Sequence, residues 1–578
     1  MGDESKTART LNGVPIRVWP AGTLAAIYWT FQLIIAQMDM AMFPRFLSKS
    51  LGALAFLLLF LILWLANGTL SWRTRLAGLG AFLGSVALGI FLAHRSFDPL
   101  SFIMMVVPYV LTAWAAWMAL MRRTQALQRS SLAAGLLLTA GLFDLVRWEG
   151  LDGHLSSTVS WRWSATAEQE FLATRAGPAA AAESSKPWTL RESDWPEFRG
   201  PLRDGVVRGV RIATNWREAP PEKVWKQGVG PGWSSVIVVG GFLVTQEQRG
   251  ENEAVVCYEA ETGRELWAHE DVARFSEGIA GPGPRATPTY RDGRIYSFGA
   301  SGLLTCLEAP TGKRIWSRDV AREASVPLPQ WGYSASPLVV DGKVIVFAGG
   351  SRGVASFDSV TGAPGWSLAS GKDSYSSAHL VPVRGKPQIV MQDNKRMVGL
   401  AIADGAVLWE RPNESEAVIP MLQPSPRPDG MLLVSSGQDL ALLELREEAA
   451  VWKAVEKWTT PRFKPSFNDF VVHEGHAYGL DEGVLSCVDL RDGRRVWKKG
   501  RYGGGQLLLL ADQGLLLILS EKGELALVEA RPQEPGEVFR FPAIEGKTWN
   551  HPVLVGDRVY VRNAAELASY RLRAAKSP

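Results

Sequence analysis

The sequence predicts two architectures in series: an N-terminal all-α transmembrane bundle of about five helices, followed by an all-β eight-bladed propeller. Three observations carry this. Apolar runs crowd the first quarter of the 578 residues while the rest reads like a water-soluble chain, a split that the mean hydropathy of +0.00 conceals. The 57 glycines and 23 tryptophans together suit a turn-rich β fold with repeated aromatic anchors. One short phrase ending in tryptophan recurs at the interval of a four-stranded blade.

The apolar runs cover 19–38, 51–66, 76–93, 100–120 and 132–146, most of them near the ~20 residues that cross a bilayer. The second and fifth are short, and the first carries Gln32, Gln37 and Asp39. Basic residues sit before the first run (Lys6, Arg9, Arg17), after the second (Arg73, Arg75) and after the fourth (Arg122, Arg123, Arg129). Alternate loops hold fewer, chiefly Arg45, Lys49 and Arg95. This bias predicts a cytoplasmic N-terminus, and an odd number of spans then delivers the C-terminal domain across the membrane. Four further apolar segments argue against a cleaved signal peptide in the first. Gly80 and Gly84 form a small-xxx-small step for helix approach, Pro108 is a possible kink, and Asp144 with Arg147 suggests an ion pair.

The boundaries read from the sequence are 1–147 for the helical domain, 148–221 for a linker and ordered loop, and 222–578 for the propeller. Residues 176–187, AGPAAAAESSKP, have the composition of a flexible tether. DWPEFRGPLRDG, 194–205, is rich enough in Pro and Gly to predict an ordered loop on a domain face.

The repeat is an apolar strand, a carboxylate, a Gly turn and a Trp. CYEAETGRELW ends at Trp267, CLEAPTGKRIW at Trp316, FDSVTGAPGW at Trp366, LAIADGAVLW at Trp409 and CVDLRDGRRVW at Trp497. Degenerate copies end at Trp458 and near Phe539. Thr-Gly or Asp-Gly supplies the positive φ that closes a tight hairpin, and the Trp offers a flat surface to wedge between blades. A second turn signal precedes each phrase: Gly240-Gly241, Asp292-Gly293, Asp341-Gly342, Arg384-Gly385, Asp429-Gly430, Glu474-Gly475, Gln513-Gly514 and Gly556-Asp557. Eight turns predict eight blades. The last repeat has three strands and no terminal Trp, whereas EKVWKQ at 222–227 is an orphan strand with one, so their pairing is expected to close the ring.

Cys257, Cys306 and Cys487 occupy equivalent repeat positions with no CxxC among them, which favours buried thiols over zinc ligands or disulfides. A net charge of +4 spread along the chain lacks the basic stripe of a nucleic-acid binder.

The phrase resembles the PQQ-like repeat, shared by quinoprotein alcohol and glucose dehydrogenases and by the propeller lipoprotein of the β-barrel assembly machinery. FNDFVVHEGHAYG and GKTWNHPVLVGDRVYVRN look like bacterial PQQ-like propeller proteins that carry a multi-span anchor. The resemblance specifies the fold and offers two functions.

Segments entering the innermost strand of each blade meet at one mouth of the central channel. They supply Trp233, Arg285, Trp331, Tyr333 and Tyr375, together with Gln423, Asn468, Asp469, Asn550 and His551. His379, Gln506 and Trp549 fall in the same set. Aromatic planes beside hydrogen-bonding groups suit a flat polar ligand. Equally, Ser, Thr, Asn and His at strand starts satisfy neighbouring backbone groups.

The expected function is a binding or scaffold module of the cell envelope, on a multi-pass anchor in the cytoplasmic (inner) membrane with the propeller extracytoplasmic. Its partners are then the lipid bilayer and envelope proteins or a small polar ligand, not nucleic acid, and no cofactor or metal is assigned. The alternative implied by the resemblance is a membrane quinoprotein dehydrogenase that binds PQQ and Ca²⁺, with Asp469 as base and Asn468 or Asn550 as oxygen ligands. Blades of about 44 residues leave little length for pocket-building loops, and the vicinal cysteine pair of the alcohol dehydrogenases is missing.

Overall fold

A computed structural model describes residues 19–38, 40, 42–120, 128–151, 157–175, 188–371, 373–413, 421–427, 429–435, 438–449 and 451–575. The tether at 176–187 and the basic residues Arg122 and Arg123 lie outside them, as do Lys6, Arg9, Arg17 and Asp39. The chain divides into two compact units, Met1–Ser164 and Ala165–Pro578.

The first unit holds α1 (Trp19–Gln37), α2 (Met42–Leu65), α3 (Trp72–Leu92), α4 (Pro99–Leu120) and α5 (Gln128–Asp144). Three helices, at Pro44–Leu65, Trp72–Leu92 and Pro99–Leu120, are long and apolar enough to cross a membrane; the apolar helix Ser131–Asp144 is shorter. Their packing centres on Trp114, which is fully buried and meets the rings of Phe60, Trp64 and Phe82 at 5.4, 4.6 and 5.7 Å. Gly78 makes room for this cluster, since a Cβ there would lie 2.4 Å from the Trp64 ring. Gly89 does the same for Phe102. The expected contact step, Gly80 and Gly84, instead faces open space, with nothing within 4 Å of either Cβ position.

After α5 the chain forms a hairpin of β1 (Val146–Leu151) and β2 (Ser157–Trp161). The Asp144–Arg147 pair expected from helical spacing is not made, because α5 ends at Asp144 and Arg147 points from a strand. Arg147 reaches Glu149 at 2.9 Å and the Ser164 carbonyl at 3.1 Å.

The second unit begins with α6 (Ala167–Thr174) and carries eight blades, each a four-stranded antiparallel sheet. Blades 1 to 7 span 237–272, 289–319, 338–368, 379–412, 425–460, 470–501 and 506–542. Blade 8 takes three strands from 553–571 and its outer strand from β4 (Glu222–Gly228), with Trp225 opposite Ser569, so the ring closes as the sequence predicts. Blade 7 gains an inner fifth strand, β3 (Val206–Val207), parallel to Gln506–Leu510.

The punctuation has a physical basis at each end of the blade. Five inner hairpins, at 240–241, 292–293, 341–342, 384–385 and 474–475, hold both central residues at positive φ, the twist that matches paired strands. At the other turn the glycine serves twice. Gly263, Gly312, Gly362, Gly405 and Gly493 have φ of +68° to +77°, and a Cβ on each would stand 2.4–2.8 Å from the Trp ring of the preceding blade. That Trp then donates its indole N–H to a carbonyl of the next blade: Trp225 to Ala260, Trp267 to Ala309, Trp316 to Ser359, Trp366 to Ile402 and Trp458 to Leu490, all at 3.1–3.2 Å. Trp409 faces a blade whose outer turn lacks a Thr-Gly or Asp-Gly pair, and it bonds Gln388 of its own blade. The three cysteines are free and buried.

Candidate functional site

The site is built where the chain enters the innermost strands. One position there repeats around the channel: Ser235, Thr287, Ser336, Ser377, Gln423 and Asp469. The Thr287 hydroxyl accepts from Ser235 N (3.0 Å), that of Ser336 from Thr287 N (2.9 Å), and that of Ser377 from Ser336 N (2.8 Å). The Gln423 carboxamide, turned to donate to Ser377 O, accepts from Ser377 N, both at 3.1 Å. Asp469 Oδ1 accepts from Gln423 N at 2.9 Å. These short polar side chains form an inter-blade belt that satisfies backbone donors facing the channel.

The segment 195–207 enters this channel as a cork rather than lying on a face. Trp195 exchanges backbone bonds with Val238 at 2.8 and 2.9 Å, and Pro196 O accepts from Tyr290 N at 2.8 Å. Arg203 bonds Glu197 at 2.6 Å and donates to Ala378 O at 2.8 Å and to Pro337 O. Arg199 donates to Phe470 O at 2.8 Å, and Leu509 N bonds Gly205 O at 2.9 Å. Six blades thus hold one loop. Arg199 and Arg203 adopt positive φ, +61° and +53°, a cost the surrounding contacts must offset.

Asp469 is the electrostatic pivot. Its carboxylate lies 2.8 Å from Arg199 Nη1 and 3.5 Å from His551 Nε2, all three groups buried. Burial works to raise its pKa, but Arg199, then His551 and the Gln423 N–H, pull it down to about 2. Burial lowers His551, whose ring meets the edge of Phe198 at 5.1 Å. Burial, followed by the charges of Arg203 and Arg199, lowers His379 to about 3. Both imidazoles are therefore neutral at neutral pH.

The sequence-predicted residues fall into three groups. Trp233 and Trp549 meet at 4.9 Å, with Phe467 5.4 Å from Trp549 and Lys547 Nζ 4.4 and 5.3 Å from the Trp549 and Trp233 centroids. Trp331 and Tyr375 pair at 5.1 Å, and Arg285 ties them in through Trp331 O (3.3 Å) and Glu277 (3.2 Å). These form the aromatic mouth. Asn468 and Asn550 instead bond carbonyls of neighbouring blades, Gly505 O and Ser234 O, as part of the backbone-satisfying layer. Tyr333 belongs to the core: it is 1% exposed, packs on Phe298 at 5.0 Å and donates to Ala348 O. Sequence reasoning missed Glu197, Arg199, Arg203, Phe467 and Lys547; the sole signal was two arginines in an otherwise Pro- and Gly-rich segment.

On the side of the inner hairpin turns, a cavity of about 930 Å³ surrounds the cork, lined by Leu202, Arg203, Arg291, Arg294, Leu380 and His379 among others. Among the described residues no three His, Cys, Asp or Glu side chains are grouped to hold a metal. The residues proposed for Ca²⁺ do not fit it at Asp469, where a cation would stand against the Arg199 guanidinium.

Residues 251–499, from the third strand of blade 1 into the last of blade 6, match the family model PQQ_2, described as outer membrane protein assembly factor BamB. No curated protein matches the chain. Similar solved structures include BamB from Moraxella catarrhalis (14% identity, 62% of this chain and 99% of that one, TM-score 0.45). The quinohemoprotein alcohol dehydrogenase from Comamonas testosteroni is another (13%, 71% and 84%, 0.49), as is a europium-containing methanol dehydrogenase (12%, 66% and 98%, 0.42). With eight blade sheets and the repeated Trp-on-glycine joint, the C-terminal unit is an eight-bladed β-propeller with a PQQ-like repeat fold, matched by that family model over residues 251–499.

Proposed function

We propose that this chain is a multi-pass protein of the cytoplasmic membrane whose extracytoplasmic propeller binds or scaffolds an envelope protein or a small polar ligand at its aromatic mouth. One observation carries the reading: the channel is corked, with Asp469 neutralised by Arg199, while Trp233, Trp549 and Lys547 present stacking and cationic surface at the rim. A dehydrogenase would need Asp469 as a free base, and a carboxylate lowered to about 2 is a weak one. Tryptophan, tyrosine and flanking cations are the groups that anchor recognition surfaces.

The test is a photo-crosslinking residue placed at Trp549, compared with one at the exposed outer-turn residue Lys313, in living cells. Discrete protein adducts or ligand protection at the mouth alone support recognition. Saturable binding of PQQ with Ca²⁺ to the purified chain and substrate-dependent reduction of an acceptor, lost in Asp469→Asn while the fold survives, would replace this reading with the enzyme.

A further inference from the structure

The hairpin β1–β2 leaves two large indoles uncovered. Trp161 and Trp163 are 53% and 69% exposed and stack on each other, with centroids 5.2 Å apart and planes 10° off parallel. A protein surface in water gains by covering such area, and among the described residues of its unit no element covers this pair. Between them Arg162 turns the other way. Its guanidinium donates to Leu92 O at 3.3 Å and Asp144 O at 3.4 Å, and its backbone N–H to Leu145 O at 2.8 Å. Those carbonyls belong to the ends of α3 and α5, where a cation meets the negative end of each helix dipole. Trp148 N bonds the Ser96 hydroxyl at 2.9 Å and its ring stacks on Phe97 at 6.2 Å, which fixes the hairpin to the α3–α4 loop. The indoles therefore stand at the end of the helices. The outward apolar surface of those helices, Phe91 and Leu92 on α3 and Leu142 on α5, runs toward the same end.

We infer that the hairpin is an interfacial anchor, with Trp161 and Trp163 seated at the headgroup level of the bilayer that the helices cross. The inference rests on the membrane reading of α2, α3 and α4. Its chemistry is that of the indole: an apolar body suited to the acyl boundary and an N–H suited to hydrated headgroups, which concentrates Trp at both membrane surfaces. The occupant is lipid rather than a protein partner, because the patch continues an apolar helix surface and exposed Arg95 lies on the adjoining α3–α4 loop, where it meets lipid phosphates.

The full chain in nanodiscs of phosphatidylcholine and phosphatidylglycerol tests this. A nitroxide is attached at Trp161→Cys, Trp163→Cys, Phe91→Cys or Lys313→Cys; the three native thiols are buried, so the label goes to the introduced one. The readout is the ratio of relaxation by oxygen to relaxation by a water-soluble nickel chelate. The ratio at 161 and 163 is expected to exceed that at 313 by at least about twofold and to fall below that at 91. Ratios at 161 and 163 equal to that at 313, with 91 still oxygen-dominated, overturn the anchor and leave the membrane reading standing. A water-like ratio at 91 overturns both. Should the cysteine variants fail to fold, quenching by lipids brominated near the headgroup is compared between the wild type and Trp161→Phe/Trp163→Phe: a smaller quenched fraction in the variant supports the anchor, and equal fractions refute it.

Discussion

The joint between blades can be tested by a double-mutant cycle on Gly312 and Trp267. Gly312 has φ of +68°, and a Cβ there would lie 2.4, 2.7 and 3.0 Å from three atoms of the Trp267 ring. Gly312→Ala therefore adds two penalties: a left-handed residue with a Cβ, about 1–2 kcal/mol, and overpacking against a ring already 95% buried, about 1–3 kcal/mol. In a Trp267→Ala background, itself destabilised by ~3–5 kcal/mol, the overpacking vanishes and only about 1–2 kcal/mol remains. The expected coupling is about 1–3 kcal/mol. Gly293 is the internal control: its φ is +77° with nothing within 4 Å, so Gly293→Ala should cost about 1–2 kcal/mol in either background. The assay is the denaturant midpoint at which Cys257, Cys306 and Cys487, all in the propeller and buried, become reactive to a thiol reagent. Additivity at Gly312 within about 0.5 kcal/mol would refute the proposed role of the indole in selecting glycine.

Four further outcomes are expected. His379 falls from 6.5 to about 3 on folding, so its stabilising contribution is complete above pH 6.5 and is lost as pH falls; between pH 7 and 5 the chain should lose about 2 kcal/mol, a slope that His379→Leu removes in urea titrations at the two pH values. Asp469→Asn leaves the Arg199 cation buried without its counter-ion and should cost about 3–5 kcal/mol in the same titration, while Asp469 itself keeps its stabilising effect until pH drops below about 4. Gly78→Leu should reduce the folded, detergent-extractable fraction strongly by striking Trp64, and Gly84→Leu should not. Reporter fusions should place a tag before Met1 in the cytoplasm and one after Pro578 outside it.

Blade number and ring closure were legible in the sequence because five of the eight blades repeat the same two constraints: a turn needing positive φ and a flat ring needing a residue without a Cβ. Local chemistry dictates both, so a short phrase suffices. The cork was not legible, since Arg199 finds Asp469 across 270 residues and no nearby residue signals that pairing. Trp331 and Tyr333 flank Gly332 in sequence yet end in different places, one at the mouth and one in the core, because Gly332 at φ +72° turns the chain between them. In the helices, small residues were visible but the face they occupy was not: the ring to be accommodated, Trp64, lies on another helix.

The pairing of β4 with the strand Glu566–Arg571 also orders events during biosynthesis. Gly228 precedes Arg571 by 343 residues, which at ~5–20 residues per second is roughly 20–70 s of synthesis. Throughout that interval the seven-residue strand β4 has no lateral partner, and blade 8 does not exist to shield the flank of blade 1. Its sequence, EKVWKQG, meets the wait with three charged side chains that discourage pairing with another chain's strand. The ring can only snap shut once residues 566–571 have been made, so a nascent propeller interrupted before residue 566 remains an open arc with two sticky ends, the form in which quality-control proteases and holding chaperones would meet it.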